Sequence, residues 1–279
     1  MVDQTEVNHP TKPLVVKVGG TEGVDFSAIC QDAAELVAQG RDIVLVHGGS
    51  AETNLLGEAL GHPPRFITSP SGFTSRYTDR QTMEIFMMAV NGKINSMLVE
   101  RLQSLGVNAL GLCGLDGRLI LATRKSAIQS VENGKRKIIR DDFTGKIDQV
   151  DGQLLRNLIG LGYTPVIAPL ATSPDGEALN VDADRAAAMV GAALQAETLV
   201  LLTAVPGLMS NFPDEGTLIS SLPRQRLNEA LEFAEGRMKK KVLGAEEALK
   251  EGVGRVIIAD GRVDKPISNA LQGRGTLIS

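Results

Sequence analysis

Short apolar runs alternate along the chain with longer stretches in which apolar residues recur at helical spacing. Leu14–Val18, Ile43–Val46 and Thr198–Thr203 are apolar enough to predict buried strands, whereas Ser27–Gln39 and Ala183–Gln195 have helical periodicity. Buried strands joined through helices favour parallel pairing, because such crossovers cover both faces of a sheet. The pattern therefore predicts an α/β fold in which helices sandwich a mostly parallel central sheet.

The same alternation continues through the rest of the chain. Further predicted strands are Asn108–Leu112, Pro165–Ala168 and Arg255–Ala259, and further predicted helices are Glu52–Leu60, Thr78–Leu105 with a break near Asn91, Arg226–Ala234 and Met238–Lys250. The segment Ala171–Gly176 combines Ser, Pro, Asp and Gly, which is typical of a turn. We therefore predict two lobes, residues 1–172 and residues 173–279, that share one core.

The least regular region lies between residues 116 and 146. Within it, Arg118–Thr123 and Lys137–Phe143 alternate apolar and polar residues on either side of the polar stretch Ser126–Gly134. A period of two residues is typical of half-buried strands. We therefore predict that these two segments pair as a β-hairpin that leaves the main sheet.

Composition excludes several classes of protein. The 279 residues carry a net charge of −4, so bulk electrostatics does not favour nucleic-acid binding. Three histidines and two cysteines lack the spacing of a metal site or a disulfide framework, and we expect no metal site built from protein side chains. Neither a membrane-spanning apolar run nor a signal peptide is evident in the sequence, so we expect a cytoplasmic protein.

Two glycine-rich turns follow predicted strands, Lys17–Gly20 and His47–Ser50. Glycine lets the backbone approach a ligand closely, and N–H groups exposed at a turn or a helix N-terminus bind phosphate or carboxylate oxygens. Lys17 would add a positive charge beside a phosphate. Either turn alone is also compatible with an ordinary connection between a strand and a helix, and we expect His47 to be structural rather than catalytic.

Charged residues elsewhere could complete such a site. Arg76 lies in a loop before a predicted helix, where it could pair with a substrate carboxylate, although a surface arginine is the simpler explanation in isolation. Asp182 is expected to cap the helix that follows Asn180, and Asp184 could hold lysines in place from the first turn of that helix. In Lys239–Lys241, helical geometry allows at most two side chains to face a cleft.

In this order, the motifs resemble those of the amino acid kinase family over the whole chain from Leu14 onward, and they are most similar to its N-acetylglutamate kinase group. The group carries Lys-x-Gly-Gly, His-Gly-Gly, Arg-x-Thr-Asp, Asn-x-x-Ala-Asp and Gly-x-Met-x-x-Lys. In this sequence the corresponding segments are Lys17–Gly20, His47–Gly49, Arg76–Asp79, Asn180–Asp184 and Gly236–Lys241.

The resemblance implies a role for each motif residue. Lys17 and Lys241 would stabilise the transition state of phosphoryl transfer from ATP with Mg²⁺, and Asp184 would orient both lysines. The residues implied to bind the acyl substrate are Gly48, Gly49, Arg76 and Asn180, and those implied to bind the nucleotide are Gly19, Gly20, Thr203, Val205, Gly207 and Leu208. The resemblance also implies a homodimer.

Ser71–Asp79 and Gly236–Lys241 resemble one branch of the family in particular. Enzymes of that branch phosphorylate the side-chain carboxylate of 2-aminoadipate while its amino group is attached to a small acidic carrier protein of the LysW type, in lysine synthesis. Residues 117–146 contain eight basic and three acidic side chains, a net charge of +5, which suits an acidic protein partner. We assign carrier binding to Arg124, Lys125, Lys135, Arg136 and Lys137. A solvated hairpin whose lysines prevent edge-to-edge association is the alternative.

Other functions share some of these motifs. A kinase for free N-acetylglutamate would leave the basic segment without a role. An aspartokinase would share Lys17–Thr21 but would need an additional regulatory domain, and a regulator that only binds nucleotide would not need Lys17, Lys241 and Asp184 together. Carrier-bound glutamate differs from carrier-bound aminoadipate by one methylene, which a hydrophobic pocket discriminates by only about 1–3 kcal/mol. The sequence therefore does not decide between carrier-bound aminoadipate and carrier-bound glutamate as the substrate.

Overall fold

The computed structural model describes residues 12–19, 26–70, 72, 74–132, 135–234 and 236–279. Its strands are β1 (Leu14–Val18), β2 (Ile43–His47), β3 (Phe66–Thr68), β4 (Thr74–Arg76), β5 (Ala109–Cys113), β6 (Ile120–Arg124), β7 (Ile128–Glu132), β8 (Lys135–Ile139), β9 (Gly145–Val150), β10 (Thr164–Ala168), β11 (Leu170–Thr172), β12 (Ala178–Asn180), β13 (Thr198–Thr203), β14 (Ser221–Leu222), β15 (Arg255–Asp260) and β16 (Thr276–Ile278). Its helices are α1 (Phe26–Ala38), α2 (Ser50–Ala59), α3 (Arg80–Met87), α4 (Ser96–Ser104), α5 (Gly152–Gly160), α6 (Ala183–Leu194), α7 (Leu227–Phe233), α8 (Gly236–Lys250) and α9 (Pro266–Leu271).

The central sheet has eight strands in the order β14-β16-β15-β13-β1-β2-β10-β5. β1 pairs in parallel with β2 and β13, while β15 and β16 are antiparallel. Successive side chains of β1 enter two different cores: Val15 packs with residues of α6 and α8, whereas Leu14 and Val16 pack with residues of α1, α4 and α9. The predicted α/β fold, with helices on both faces of a mostly parallel sheet, is therefore confirmed.

The hairpin excursion is present, but the predicted pairing within it is wrong. β6 pairs with β9, in a second sheet of order β12-β11-β6-β9, and β7 pairs with β8. Arg118–Thr123 therefore does not pair with Lys137–Phe143, and most of the polar stretch Ser126–Gly134 is itself a strand. Ile128 and Val131 are separated by polar residues, and one of these, Ser130, is fully buried. The polar residues between Ile128 and Val131 therefore made this strand look like a loop in the sequence.

The long helix predicted at Thr78–Leu105 also differs in detail. Asp79 caps α3 by accepting the N–H of Thr82 at 2.8 Å, so the helix begins at Arg80. Instead of a break near Asn91, a π-helical segment, Met88–Asn95, joins α3 to α4. A π-turn accommodates an extra residue without ending the helix, and it determines which side chains face the sheet.

The topology brings the glycine-rich turns to one edge of the sheet. The chain passes from β1 to β2 on one side, and β13 lies on the other side of β1. Ligands of open α/β sheets bind outside the carboxyl ends of the strands at such a switch point. The predicted lobe boundary falls between β11 and β12, and both lobes contribute strands to the central sheet. Among the described helices, none is both long and apolar enough to cross a bilayer.

Candidate active site

A cavity of about 1330 Å³ opens at the carboxyl edge of the central sheet. Lys17 near the end of β1, Gly48 just after β2 and Thr203 at the end of β13 all line it. Pockets for one small molecule usually occupy about 300–1,000 Å³. The cavity is therefore large enough for a nucleotide and a second substrate.

Three charged side chains from distant parts of the chain meet in this cavity. Asp184, in the first turn of α6, places Oδ1 at 2.7 Å from Nζ of Lys17. Nζ of Lys241, on α8, donates to Oδ1 and Oδ2 of Asp184 at 3.0 and 2.9 Å. Asp182 caps α6, as predicted, by accepting the N–H groups of Asp184 and Arg185. The three predicted catalytic side chains thus form one cluster.

Burial makes this cluster electrostatically strong, since Lys17, Asp184 and Lys241 are only 6%, 9% and 7% exposed. Burial alone would raise the pKa of Asp184, but attraction to the two ammonium groups outweighs it and holds this pKa well below its usual range. Burial and repulsion from Lys17 lower the pKa of Lys241 to about 8, although Asp184 opposes the shift. One carboxylate balances only one of two ammonium groups, so the cluster presents net positive charge to the cavity.

The second glycine turn lies close to this cluster. Gly48 and Gly49 line the cavity, and a Cβ at residue 49 would lie 2.5 Å from Cγ1 of Val90 and 2.8 Å from Cδ1 of Ile94. Glycine is therefore required where α2 begins. His47 is fully buried, and burial, together with the charge of Lys17, lowers its pKa to about 4. Its ring is neutral near pH 7, in keeping with the expected structural role.

The predicted substrate residues Arg76 and Asn180 line the same cavity. Nη2 of Arg76, a residue only 8% exposed, donates to the carbonyl and hydroxyl oxygens of Ser50 at 3.1 Å each. Burial lowers the pKa of the Arg76 guanidinium. Asn180 donates to Oγ1 of Thr78 at 3.0 Å. Arg76 is thus tied to the start of α2, a contact that sequence reasoning missed because Ser50 lies far away in the chain.

The predicted nucleotide residues lie in two different environments. Those that line the cavity are Gly19, Thr203, Val205 and Leu208. Gly207 packs behind it, where a Cβ would come within 2.7 Å of Oγ1 of Thr276 and 2.8 Å of Cδ1 of Leu218. Gly20 lies outside the described residues. Gly207 therefore allows the chain after β13 to pack closely against Thr276 and Leu218.

Several lining residues have no motif in the sequence. Apolar side chains that line the cavity beside Val205 and Leu208 include Met209, Phe212, Met238 and Leu243. Lys240 also lines it and donates from Nζ to the carbonyl oxygen of Thr74 at 3.1 Å. Of the three consecutive lysines, Lys240 and Lys241 line the cavity. These apolar lining residues could not be predicted from the sequence, because the sequence does not show which faces of α8 and of the segment after β13 point into the cavity.

The predicted carrier-binding residues are spread from the cavity to the hairpin. Lys125 lines the cavity at the base of the β7–β8 hairpin. Arg124 is committed to contacts within the protein: its guanidinium pairs with Glu177 at 3.1 Å and stacks over the ring of Phe143 at 3.9 Å. Arg136 and Lys137 are exposed on β8, whereas the side chain of Lys135 lies outside the described part of the protein. Exposed positive charge therefore lies on β8.

Comparisons with known proteins identify relatives over nearly the whole chain. The amino acid kinase family model matches residues 12–260. The chain is 57% identical to [LysW]-aminoadipate kinase of Deinococcus radiodurans, over 95% of this chain and 91% of the relative. It is 52% identical to [LysW]-aminoadipate kinase of Thermus thermophilus, over 95% and 99%. It is 36% identical to [LysW]-aminoadipate/[LysW]-glutamate kinase of Saccharolobus solfataricus, over 95% and 99%.

Solved structures share the fold. N-acetylglutamate synthase from Neisseria gonorrhoeae, complexed with coenzyme A and N-acetyl-glutamate, matches with a TM-score of 0.78 at 28% identity. That match covers 96% of this chain but 59% of the synthase chain. Carbamate kinase from Giardia lamblia bound to AMP-PNP matches with a TM-score of 0.67 at 15% identity, over 96% of this chain and 98% of the carbamate kinase, which shows the fold alone. From its ordered motifs, its fold and these matches, the chain belongs to the amino acid kinase family.

Proposed function

We propose that this protein uses ATP to phosphorylate the side-chain carboxylate of 2-aminoadipate attached, through its amino group, to a small acidic carrier protein of the LysW type. The product would be an acyl phosphate of lysine biosynthesis. The observation that carries the proposal is the buried Lys17–Asp184–Lys241 cluster, found in a chain 57% identical to a [LysW]-aminoadipate kinase. We extend the proposal to carrier-bound glutamate, for arginine biosynthesis, because the Saccharolobus relative is named for both substrates.

The cluster has the charges that this reaction requires. A substrate carboxylate is ionised near neutral pH and needs no general base. Its oxygen would attack the γ-phosphorus of ATP, and the bond to the β-phosphate oxygen would break, with its electron pair leaving on ADP. Negative charge then spreads over the equatorial oxygens. Lys17 and Lys241 would neutralise that charge, while Asp184 would hold both ammonium groups in position.

The nucleotide and its metal ion fit this cavity in different ways. Gly19 offers close backbone approach to phosphates, and the apolar residues near Val205 would cover a base. Within the described ranges, no group of three or more His, Cys, Asp or Glu side chains is placed to hold a metal ion, and Asp184 is committed to two lysines. Mg²⁺ would therefore be held mainly by phosphate oxygens and water, as is usual for this ion.

The β7–β8 hairpin is suited to receive the carrier. Lys125 and Ile128, at its base, line the cavity, and β7 lies against β3. From Ile128 to Glu132 a strand spans about 13 Å at ~3.3 Å per residue. The hairpin is therefore short enough that a few C-terminal residues of a carrier bound to Arg136 and Lys137 would reach the cavity. Electrostatic attraction to an acidic carrier would mainly raise the association rate.

We further propose that the two lobes contribute different binding sites and that the protein forms a dimer. Residues 1–172 would supply most of the acyl-substrate site and residues 173–279 most of the nucleotide site, with Asn180 and Gly19 as the exceptions. We also propose a homodimer, because α2 and α4 carry apolar side chains that are strongly exposed in the single chain, with Leu55 at 62% and Met97 at 56%. Light scattering should give twice the mass of the chain, and a monomer at assay concentration would contradict the dimer.

The competing function is phosphorylation of free N-acetylglutamate. It is favoured by the structural match to a synthase complexed with N-acetyl-glutamate. The two functions make different predictions about the hairpin. A free substrate needs no docking surface, so charge on β8 would not affect its use.

The test is a set of three kinetic titrations, with carrier-linked aminoadipate, with free N-acetyl aminoadipate and with N-acetylglutamate. The carrier-linked substrate should have the highest kcat/KM, which should fall steeply with salt because the Debye length shrinks from ~10 Å at 0.1 M to ~3 Å at 1 M. Reversing Lys135, Arg136 and Lys137 to Glu should weaken use of the carrier-linked substrate only. A preference of wild type for N-acetylglutamate would refute the proposal.

A matched control reverses two cations at the opposite edge of the sheet. Lys12 precedes β1, and Arg224 follows β14, which runs opposite to β1; both side chains are exposed. The Lys12→Glu/Arg224→Glu variant changes net charge by four units, so it is compared with the double reversal Arg136→Glu/Lys137→Glu, which leaves Lys135 in place and changes net charge by the same amount. It should leave kcat/KM for the carrier-linked substrate near that of wild type. Equal losses in both variants would mean that net charge, rather than the hairpin, attracts the carrier.

A further inference from the structure

A buried polar relay lies behind the glycine turn that follows β2. Asn95 ends the π-helical segment and is only 3% exposed. Its Nδ2 lies 2.8 Å from the carbonyl oxygen of Val166, on β10, and 3.1 Å from Nε2 of His47. Nδ1 of His47 lies 3.0 Å from the carbonyl oxygen of Gly48. Room for the amide exists because residue 111 is glycine, where a Cβ would overlap Oδ1 of Asn95.

The chemistry of these contacts permits one arrangement of protons. A backbone carbonyl can only accept hydrogen bonds, so the amide group beside Val166 must be the NH₂ of Asn95 and not its oxygen. The same NH₂ faces Nε2 of His47 and, at 3.4 Å, the carbonyl oxygen of Leu112; because an amide nitrogen accepts no hydrogen bond, Nε2 carries no proton and is an acceptor. A neutral imidazole with a bare Nε2 has its proton on Nδ1. That proton is then donated to the carbonyl oxygen of Gly48.

The relay therefore fixes a peptide group that borders the cavity. The carbonyl and N–H of a trans peptide point in opposite directions. Because the Gly48 carbonyl faces the His47 ring, the Gly49 N–H points away from that ring. Gly48 and Gly49 both line the cavity, and the Gly49 N–H has no hydrogen-bond partner within the described part of the chain.

We propose that Asn95 is a positioning residue: by donating to Nε2 of His47, it orients the ring whose Nδ1–H holds the Gly48–Gly49 peptide, so that the Gly49 N–H is presented to an oxyanion in the cavity. The identity of that oxyanion, the moving phosphoryl group or the substrate carboxylate, rests on the proposed function. The relay itself does not, because its members are buried and need no ligand. The π-helical segment brings Asn95 to this place and also packs Val90 and Ile94 against Gly49.

The first test is nitrogen-15 NMR of the histidine rings, of which the chain has three. Wild-type His47 should show the neutral Nδ1–H tautomer at pH values on both sides of the ordinary histidine pKa of 6.5. In Asn95→Leu, Nε2 loses its hydrogen-bond donor, so the nitrogen-15 shift of Nε2 should move towards that of an imidazole nitrogen without a hydrogen bond, while Nδ1 keeps its proton. Asn91→Leu, four residues earlier on the same π-helical segment, is the matched control and should leave the Nε2 shift unchanged. An Nε2–H tautomer in the wild type would overturn the proposal without any activity assay.

The second test is kinetic. Loss of one oxyanion donor costs about 10²–10³ in kcat, and misplacing a donor should cost less, so Asn95→Leu should lower kcat roughly 10- to 100-fold with a smaller change in KM for ATP. If Asn95 acts through His47, the His47→Phe/Asn95→Leu double variant should be no slower than His47→Phe alone. Additive losses would show that Asn95 has only a structural role and would overturn the proposal. If Asn95→Leu does not fold, Asn95→Ser serves in both tests.

These outcomes separate the relay from the proposed function. A wild type that does not use carrier-linked aminoadipate, yet shows the expected tautomer and the change of the Nε2 shift in Asn95→Leu, would refute the substrate and support the relay. A wild type that uses this substrate while the Nε2 shift of His47 is unchanged in the slow Asn95→Leu variant would do the reverse.

Discussion

Replacing Asp184 by asparagine should remove most of the activity while preserving the fold. The substitution keeps the shape of the side chain but removes the charge between two buried ammonium groups, whose Nζ atoms lie 2.7 and 2.9 Å from its oxygens. Removing one partner of a buried ion pair costs about 3–5 kcal/mol. The protein can reduce this cost by releasing a proton from Lys241, the pKa of which is already about 8.

Two consequences follow from that proton release. Near pH 7 the variant would lose one positive charge beside the transferring phosphoryl group, so kcat should fall by about 10²–10³, as for loss of one electrostatic stabiliser. The folded state would then bind fewer protons than the unfolded state, in which Lys241 titrates near its ordinary value of 10.5. The free energy of unfolding of Asp184→Asn should therefore rise, relative to wild type, as pH increases from 7 to about 8, and the two should rise in parallel above that, because Lys241 of the wild type then also releases its proton.

The assay is ADP release with carrier-linked aminoadipate, paired with urea unfolding at two pH values. Asp182→Asn is the matched control, because it makes the same chemical change two residues away on the same helix and asparagine is as good an N-cap. It should keep kcat and stability close to wild type. An Asp184→Asn enzyme that is destabilised but retains kcat would show that Asp184 is only a structural counter-ion.

Three further predictions follow from the same cavity. kcat/KM should fall as pH rises through about 8, where Lys241 of the free enzyme loses its proton. Bound ATP would raise the pKa of Lys241, so kcat should fall only at higher pH. A fall of kcat and of kcat/KM at the same pH would contradict this. Arg76→Lys should raise KM for the acyl substrate far more than for ATP, because it loses the planar fork, and equal effects on both would contradict a substrate role. Lys241→Met should lower kcat strongly, whereas Lys240→Met removes a cavity-lining cation that is bound to Thr74 rather than to Asp184 and should be milder; the opposite order would show that the wrong lysine was assigned.

The sequence predicted the features that depend on a short local pattern of residues. Apolar runs such as Leu14–Val18 determine the buried strands, and glycine after a strand marks the edge where ligands bind. Lys17, Asp184 and Lys241 could be named because each belongs to a motif beside a predicted element. Their convergence on one carboxylate, at distances of 2.7–3.0 Å, follows from topology that no single motif contains.

Features that depend on long-range contacts could not be predicted. The pairing of β6 with β9 rather than with residues 137–143 follows from packing in the second sheet, which local alternation does not report. Similarly, the contact of Asn95 with His47 depends on a π-turn and on the missing side chain of Gly111. Asn95 alone has no distinguishing sequence pattern, since an asparagine in a helix is usually a solvent-exposed residue.

Trapping the product tests the central claim most directly. Acyl phosphates react with hydroxylamine to give stable hydroxamates, so enzyme, ATP and carrier-linked aminoadipate should yield a carrier whose C-terminal fragment, in tandem mass spectrometry, bears one hydroxamate on the aminoadipate side chain. Its amount should equal the ADP released, and Asp184→Asn should form it about 10²–10³ times more slowly. ADP release without a hydroxamate, or a hydroxamate on free N-acetylglutamate and none on the carrier, would contradict the account.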